Sequence, residues 1–280
     1  MAKTPIQICT LNTARVAPVN AIEAISRALN RVPDIIALQE VVGPGLGTED
    51  VSRINPLKRD GFWPRGWEFV HVTTVTQADN GFGHTIAIRK ASGITIDEGG
   101  ITTEIMNPTP PGDSEVRKIL TLQLRTREGV GFTVRSFHAP WPGSYNSLTT
   151  RTYLWNTFMK SMLTSPAPKK PVICMGDLNT SFQYVADIAK SNGYDLAPDR
   201  GCVTCMDAEG SGKIAASDYL AISTPGGFTE IGVRPCLFGT DHAAVWASLK
   251  ATGLVVDASG TLPFDIPGVA NAIMTDEEVA

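Results

Sequence analysis

A chain of 280 residues with 42% hydrophobic and 19% charged content is long enough to bury a large core and too apolar to be disordered. A formal net charge of −4 argues against a sequence-blind, high-affinity nucleic-acid binder that works by neutralising many phosphates, but not against an enzyme with a local positive surface. Five cysteines make no disulfide framework and predict a reducing, cytoplasmic setting.

The start, MAKTPIQICTLN, lacks the apolar stretch of a secretory signal, and no run of residues reaches transmembrane length, so a soluble monomer without stable membrane association is expected. Residues 6–11 alternate as a strand, residues 20–30 carry Ile22, Ile25 and Leu29 at helical spacing, and residues 34–39 (DIIALQ) form a second apolar strand after Pro33. This strand–helix–strand unit predicts a buried parallel pair. A Gly/Pro-rich loop opens at Gly43. It leads into NPLKRDGFWPRGWEF, where Lys58, Arg59 and Arg65 interleave with Phe62, Trp63 and Trp67. Such a segment could track a phosphate backbone and stack on bases, or its tryptophans could anchor it to the core; the second has slightly more weight.

Strand-like runs at 67–75, 85–89, 118–125 and 131–137 predict a more antiparallel stretch. Residues 147–163 then place Leu148, Trp155, Phe158, Met159 and Met162 on one face of a core-packing helix. Residues 171–175 (PVICM) form a short buried strand, residues 182–191 a helix, and residues 218–223 and 244–250 the last strands. Cys202 and Cys205 stand as CxxC with no second pair nearby to complete a zinc site, and read as two thiols in a loop. Strands that need cover on both faces imply an α/β fold, a four-layer sandwich of two mixed sheets packed face to face with helices outside. From residue 251 the chain turns Gly-, Pro- and acid-rich, which reads as a tail behind one domain of residues 1–250.

Metal-competent polar residues recur where the apolar strands end. Asn12 ends the first strand, Glu40 the second, His138 follows Phe137, Asp177 and Asn179 follow PVICM, and Asp241 and His242 precede the last strand. Strand ends are where a layered α/β scaffold presents side chains to a shared cleft. Singly, each residue has a plainer role as turn, cap or solvated loop residue. Of the four histidines, His138 and His242 fall in these clusters, leaving His71 and His84 as structural.

Five motifs, LNTA at 11–14, LQE at 38–40, GDLN at 176–179, SDY at 217–219 and TDH at 240–242, follow one another in the order found in the endonuclease/exonuclease/phosphatase superfamily, and the chain resembles its DNase-I-like branch. That superfamily includes DNase I, exonuclease III, sphingomyelinases and inositol-polyphosphate phosphatases. The resemblance runs from about residue 6 to about residue 250 and implies a metal-dependent phosphodiester hydrolase. It casts Glu40 as principal ligand of Mg²⁺ or Mn²⁺, with Asn12 and Asp241 completing an oxygen-rich site. Asp177 would orient or deprotonate the attacking water, Asn179 would hold neighbouring phosphate oxygens, and His242, paired with Asp218, would contact the scissile phosphate as an imidazolium.

His138, in SFHAPWPG, resembles the second histidine of the DNase I and cytolethal-distending-toxin branches, and Arg117 stands where these enzymes often carry a phosphate-contacting arginine. One departure is that no acidic residue precedes the TIAIRK strand, where DNase I has the glutamate that orients its second histidine. The substrate expected is nucleic acid, DNA ahead of RNA, cut endonucleolytically. The alternatives are a phosphoinositide- or sphingomyelin-type phosphoesterase and a catalytically silent binding module on the same scaffold.

Overall fold

The computed structural model describes residues 5–44, 51–54, 61–77, 80–105, 118–139, 170–179, 182–199, 204–206, 214–215, 217–224, 226–235 and 240–250. The expected helix at 147–163 and the tail after residue 250 lie outside these residues. The opening unit folds as its patterning predicts: β1 (Ile6–Asn12), α1 (Pro18–Leu29) and β2 (Ile35–Pro44), with β1 and β2 parallel. Proline at the first turn costs α1 no hydrogen bond. Asn30 ends the helix in the left-handed region at φ 51°, where the Asn30 and Arg31 N–H groups close back on the Arg27 and Ser26 carbonyls.

The remaining described elements, in chain order, are β3 (Val51–Ile54), β4 (Trp67–Gln77), β5 (Asn80–Arg89), β6 (Thr95–Ile105), β7 (Lys118–Arg125), β8 (Gly131–His138), β9 (Val172–Asp177), α2 (Phe182–Ser191), β10 (Asp195–Ala197), β11 (Cys205–Met206), β12 (Ile214–Ala215), β13 (Asp218–Ile222), β14 (Phe228–Pro235) and β15 (Ala243–Leu249). They build a seven-stranded sheet in the order β14-β15-β1-β2-β5-β4-β3 and a six-stranded sheet in the order β10-β13-β9-β8-β7-β6, with β11 and β12 as a separate ribbon. Each large sheet is mixed: β1–β2 and β8–β9 are parallel, and the other pairs are antiparallel.

Alternation along the strands makes the layers. Ile8, Ile35, Val70, Ile86 and Val245 of the larger sheet meet Leu122, Phe132, Val134, Ile173 and Leu220 of the smaller in one buried cluster. The opposite-facing Cys9, Leu11, Ile36 and Leu38 take Ala21, Ile22 and Ile25 of α1. Behind the smaller sheet, Val172, Cys174 and Tyr219 take Val185, Ile188 and Ala189 of α2. The order helix, sheet, sheet, helix is the expected four-layer sandwich.

The basic–aromatic segment resolves towards its structural alternative. Trp63 and Trp67 are buried, and Trp63 packs on Phe62 and Phe69 at centroid distances of 5.3 and 4.7 Å. Rings spent on the core cannot stack on bases. Lys58 and Arg59 lie outside the described residues. His71 and His84 are buried in the sheet, with His71 Nδ1 2.9 Å from Thr85 Oγ1.

Candidate active site

Parallel and antiparallel pairing together decide what reaches one end of the sandwich. Asn12 and His138 close β1 and β8, and Asp177 closes β9. Because β13 runs antiparallel to β9, its first residue, Asp218, stands opposite Asp177. β15 is antiparallel to β1, so His242 and Ala243 enter at the same end. The shared cleft therefore collects carboxyl ends of some strands and amino ends of others.

Glu40 arrives by a bulge. Leu38 pairs with Thr85 and Val41 with Gly83, so Gln39 and Glu40 together oppose His84, and Glu40 takes φ 52°. An extra residue turns a strand side chain off its regular face, and left-handed backbone at a non-glycine costs energy that sites commonly carry. Gly176 of GDLN has a different reason. A Cβ there would come within 2.2 Å of the Phe137 carbonyl oxygen, so only glycine lets β8 and β9 approach beside the site.

Asn12 lies between two carboxylates, its Nδ2 donating to Glu40 Oε1 at 3.1 Å and Asp177 Oδ2 at 3.0 Å. Its Oδ1, the atom a metal ligand would need, accepts the Ala14 N–H at 3.0 Å. Asp177 Oδ1 accepts the Asn179 N–H at 2.7 Å, while Oδ2 lies 3.9 Å from both His138 Nε2 and His242 Nε2. His138 Nε2 is also 3.7 Å from Glu40 Oε1. Asn179, at φ 49°, donates from Nδ2 to the Ala139 carbonyl at 2.9 Å and lies 3.4 Å from His138 Nε2. Thus Asn12, Glu40, His138, Asp177, Asn179, Asp218 and His242 are connected by direct contacts. Asp241 enters through His242, with Oδ1 3.8 Å from Nε2. Arg117 lies outside the described residues. Its neighbour Lys118 is buried and donates to the Thr73 carbonyl at 2.8 Å.

The His242 side is tied down at every step. His242 Nδ1 is 2.8 Å from Asp218 Oδ2, which also accepts from Ser217 Oγ at 3.0 Å. Thr204 Oγ1 accepts the backbone N–H groups of Ser217 and Asp218. Thr240 Oγ1 accepts the His242 N–H and donates to the Asn12 carbonyl. Ser217 and Thr240 stand inside motifs recognised by sequence. Thr204 lies in no such pattern, and only the fold brings it here.

Electrostatics follow from the burial. Burial opposes charge on His242, but the Asp218 carboxylate, a hydrogen bond with Cys205 and the Asp177 charge outweigh it and hold the imidazole far above the ordinary histidine range. Asp177 moves the other way for an acid: burial first, then Asp218, push its carboxyl up to about 7 against the pull of His242, Asn12 and the Asn179 N–H. Among the described residues, Asp177, Asp218 and His242 each place one ligand-type atom within 4.8 Å of the others, a grouping that could hold a cation.

A sequence model of the Endonuclease/Exonuclease/phosphatase family matches residues 9–197. The chain belongs to this family. No curated protein matches it by sequence. Among solved structures, an endonuclease/exonuclease/phosphatase from Beutenbergia cavernae DSM 12333 superposes with a TM-score of 0.61 at 19% identity, covering 90% of this chain and 72% of that one. TDP2 of D. rerio complexed with single-strand DNA product gives 0.56 at 16% identity, covering 88% and 99%. The 3′ phosphatase NExo (D146N) from Neisseria, bound to a product DNA hairpin, gives 0.57 at 16%, covering 87% and 99%. At these identities the likeness is one of fold. Endonuclease/exonuclease/phosphatase members act on phosphodiesters or phosphate esters, and hydrolysis of that bond class is the coarse activity that membership carries. No helix among the described residues is long and apolar enough to cross a membrane.

Proposed function

We propose that this chain is a Mg²⁺- or Mn²⁺-dependent phosphodiester hydrolase acting on nucleic acid, DNA in the first place. The observation that carries this reading is the meeting of two carboxylates and two imidazoles from distant segments, with Glu40, Asp177, His138 and His242 linked by contacts of 3.7–3.9 Å.

The donor set fits a hard divalent cation. Glu40 is a carboxylate with 27% of its side chain exposed to the cleft, and Asp177 is a buried acid beside Asp218, so the carboxylates outnumber the one charged imidazole, His242. Glu40, with Asp241 as the further carboxylate, would hold the ion. A bound cation would neutralise charge on the non-bridging phosphate oxygens.

The chain's own groups divide the remaining work. Asp177, its Oδ1 fixed by the Asn179 N–H, presents Oδ2 as the base that orients and deprotonates water. His242, held in one orientation and kept charged by Asp218, donates from Nε2 to the scissile phosphate. His138 offers a second Nε2 to the leaving oxygen, and Asn179 and Arg117 contact phosphate. Asn12 is a positioning residue whose amide spaces Glu40 from Asp177. DNA is favoured because fold neighbours include proteins bound to DNA products.

Nicking of supercoiled DNA in Mg²⁺, abolished by EDTA and by Asp177→Asn or His242→Ala, is the expected result. Phosphate or headgroup release from phosphoinositide vesicles without nicking would replace the DNA reading. Binding without turnover on every phosphoester would replace the enzyme reading with a silent module.

A further inference from the structure

His242 has one neighbour, Cys205, that hydrolysis does not use. Cys205 is not in a loop, as its CxxC spacing suggested, but in β11, where it pairs with His242 in an isolated antiparallel bridge. Its sulfur is half-buried and outside any disulfide. Among the described residues, one ligand-type atom each from Cys205, Asp241 and His242 lies within 4.8 Å of the other two.

Sulfur, imidazole nitrogen and carboxylate oxygen together make a borderline-soft donor set, which suits Zn²⁺ and discriminates against Mg²⁺. The imidazole is already oriented for it. Asp218 occupies Nδ1 at 2.8 Å, the outer-shell carboxylate that histidine ligands commonly have, and this leaves Nε2 facing Asp241 Oδ1 at 3.8 Å. Two ligands on one tetrahedral Zn²⁺ lie roughly 3.3 Å apart, so this nitrogen–oxygen pair closes with about half an ångström of side-chain movement. Asp241 keeps 29% of its side chain exposed, so an ion can enter from solvent.

We propose that Cys205, Asp241 and His242 form a thiophilic metal site for Zn²⁺, whose filling switches hydrolysis off by capturing Nε2 of His242. On binding, the thiol and the Nε2–H each lose a proton to solvent, Asp218 keeps its hydrogen bond from Nδ1–H, and three protein ligands leave one position for water. The inhibitory half rests on the roles given above to His242 and to Asp241, which the two sites share; the binding half does not.

Co²⁺, added to the metal-free full-length protein, is the probe. The expected result is a near-ultraviolet thiolate-to-cobalt charge-transfer band that Zn²⁺ removes and excess Mg²⁺ does not. Cys205→Ser should lose that band, bind Zn²⁺ at least about tenfold more weakly, and retain Mg²⁺-supported hydrolysis while escaping inhibition by Zn²⁺. Asp241→Asn, a second variant, should keep the band but weaken the ion. No band in the wild type, a band that survives in Cys205→Ser, or equal Zn²⁺ inhibition of both proteins overturns the proposal. Should the wild type hydrolyse nothing, the band still decides whether the site exists, separately from the reading of the enzyme.

Discussion

The two sides of the cleft are built differently. On one, His242 and Asp218 are buried, joined at 2.8 Å, and braced by Thr204, Ser217 and Thr240. On the other, Glu40 meets His138 at 3.7 Å from a left-handed position in a bulge, with its side chain 27% exposed. The first side pairs its charges within the protein, although Asp218 Oδ1 is buried without a hydrogen-bond partner. The second has carboxylate oxygens facing solvent and one amide, Asn12, bridging to the buried half. Preorganised dipoles belong where charge develops in a transition state, and an open carboxylate belongs where an ion must come and go.

Breaking the braced side has the largest expected effect. His242→Ala and Asp177→Asn should each lower kcat by roughly 10²–10⁴, measured as single-turnover DNA cleavage with folding checked by circular dichroism. Removing the bridge comes next: Asn12→Ala should cost about 10–100-fold in Mg²⁺ affinity or activity, read from the metal dependence of cleavage. Gly176→Ala should destabilise the fold by about 1–3 kcal/mol in denaturant unfolding, because the new methyl meets backbone that cannot move aside.

The smallest effect sharpens the comparison through pH. In the folded chain Asp177 titrates at about 7, against 3.8 as its ordinary value, so between those limits the folded state keeps a proton the unfolded state has lost. Stability in EDTA from this group therefore falls as pH rises from 3.8 to about 7. His242, raised from 6.5, is protonated in both states below that value and adds no slope there; its stabilisation declines as pH rises above 6.5 and is gone once pH passes its alkaline folded pKa. Asp177→Asn should consequently gain on the wild type in Tm across the acidic-to-neutral window and stop gaining above it. A constant difference would remove the buried charge from the account.

Much of this was legible in the chain because buried strands and site residues adjoin. PVICM reads as a strand from its apolar run, and GDLN follows at once, so the fold signal locates the chemistry. β6 and β14 carry no such signal. Both are largely exposed and both are interrupted, β6 between Ile96 and Ile101 and β14 between Phe228 and Glu230, so alternation fails and pairing with a neighbour supplies the order. The bulge that aims Glu40, and the approach of Thr204 and Cys205 to the His242 segment, depend on contacts between distant segments that no local pattern records. The Trp63 and Trp67 segment shows the converse: interleaved charge and aromatics suggested a surface, and burial decided otherwise.

The most direct test is single-turnover cleavage of one DNA substrate across Mg²⁺ concentration for the wild type, Glu40→Gln and Asp218→Asn. If one side of the cleft holds the ion and the other is a finished phosphate-binding group, Glu40→Gln raises the Mg²⁺ midpoint while approaching the wild-type rate at saturation. Asp218→Asn should keep the midpoint and lower the saturating rate. Both variants moving the same parameter would contradict the division.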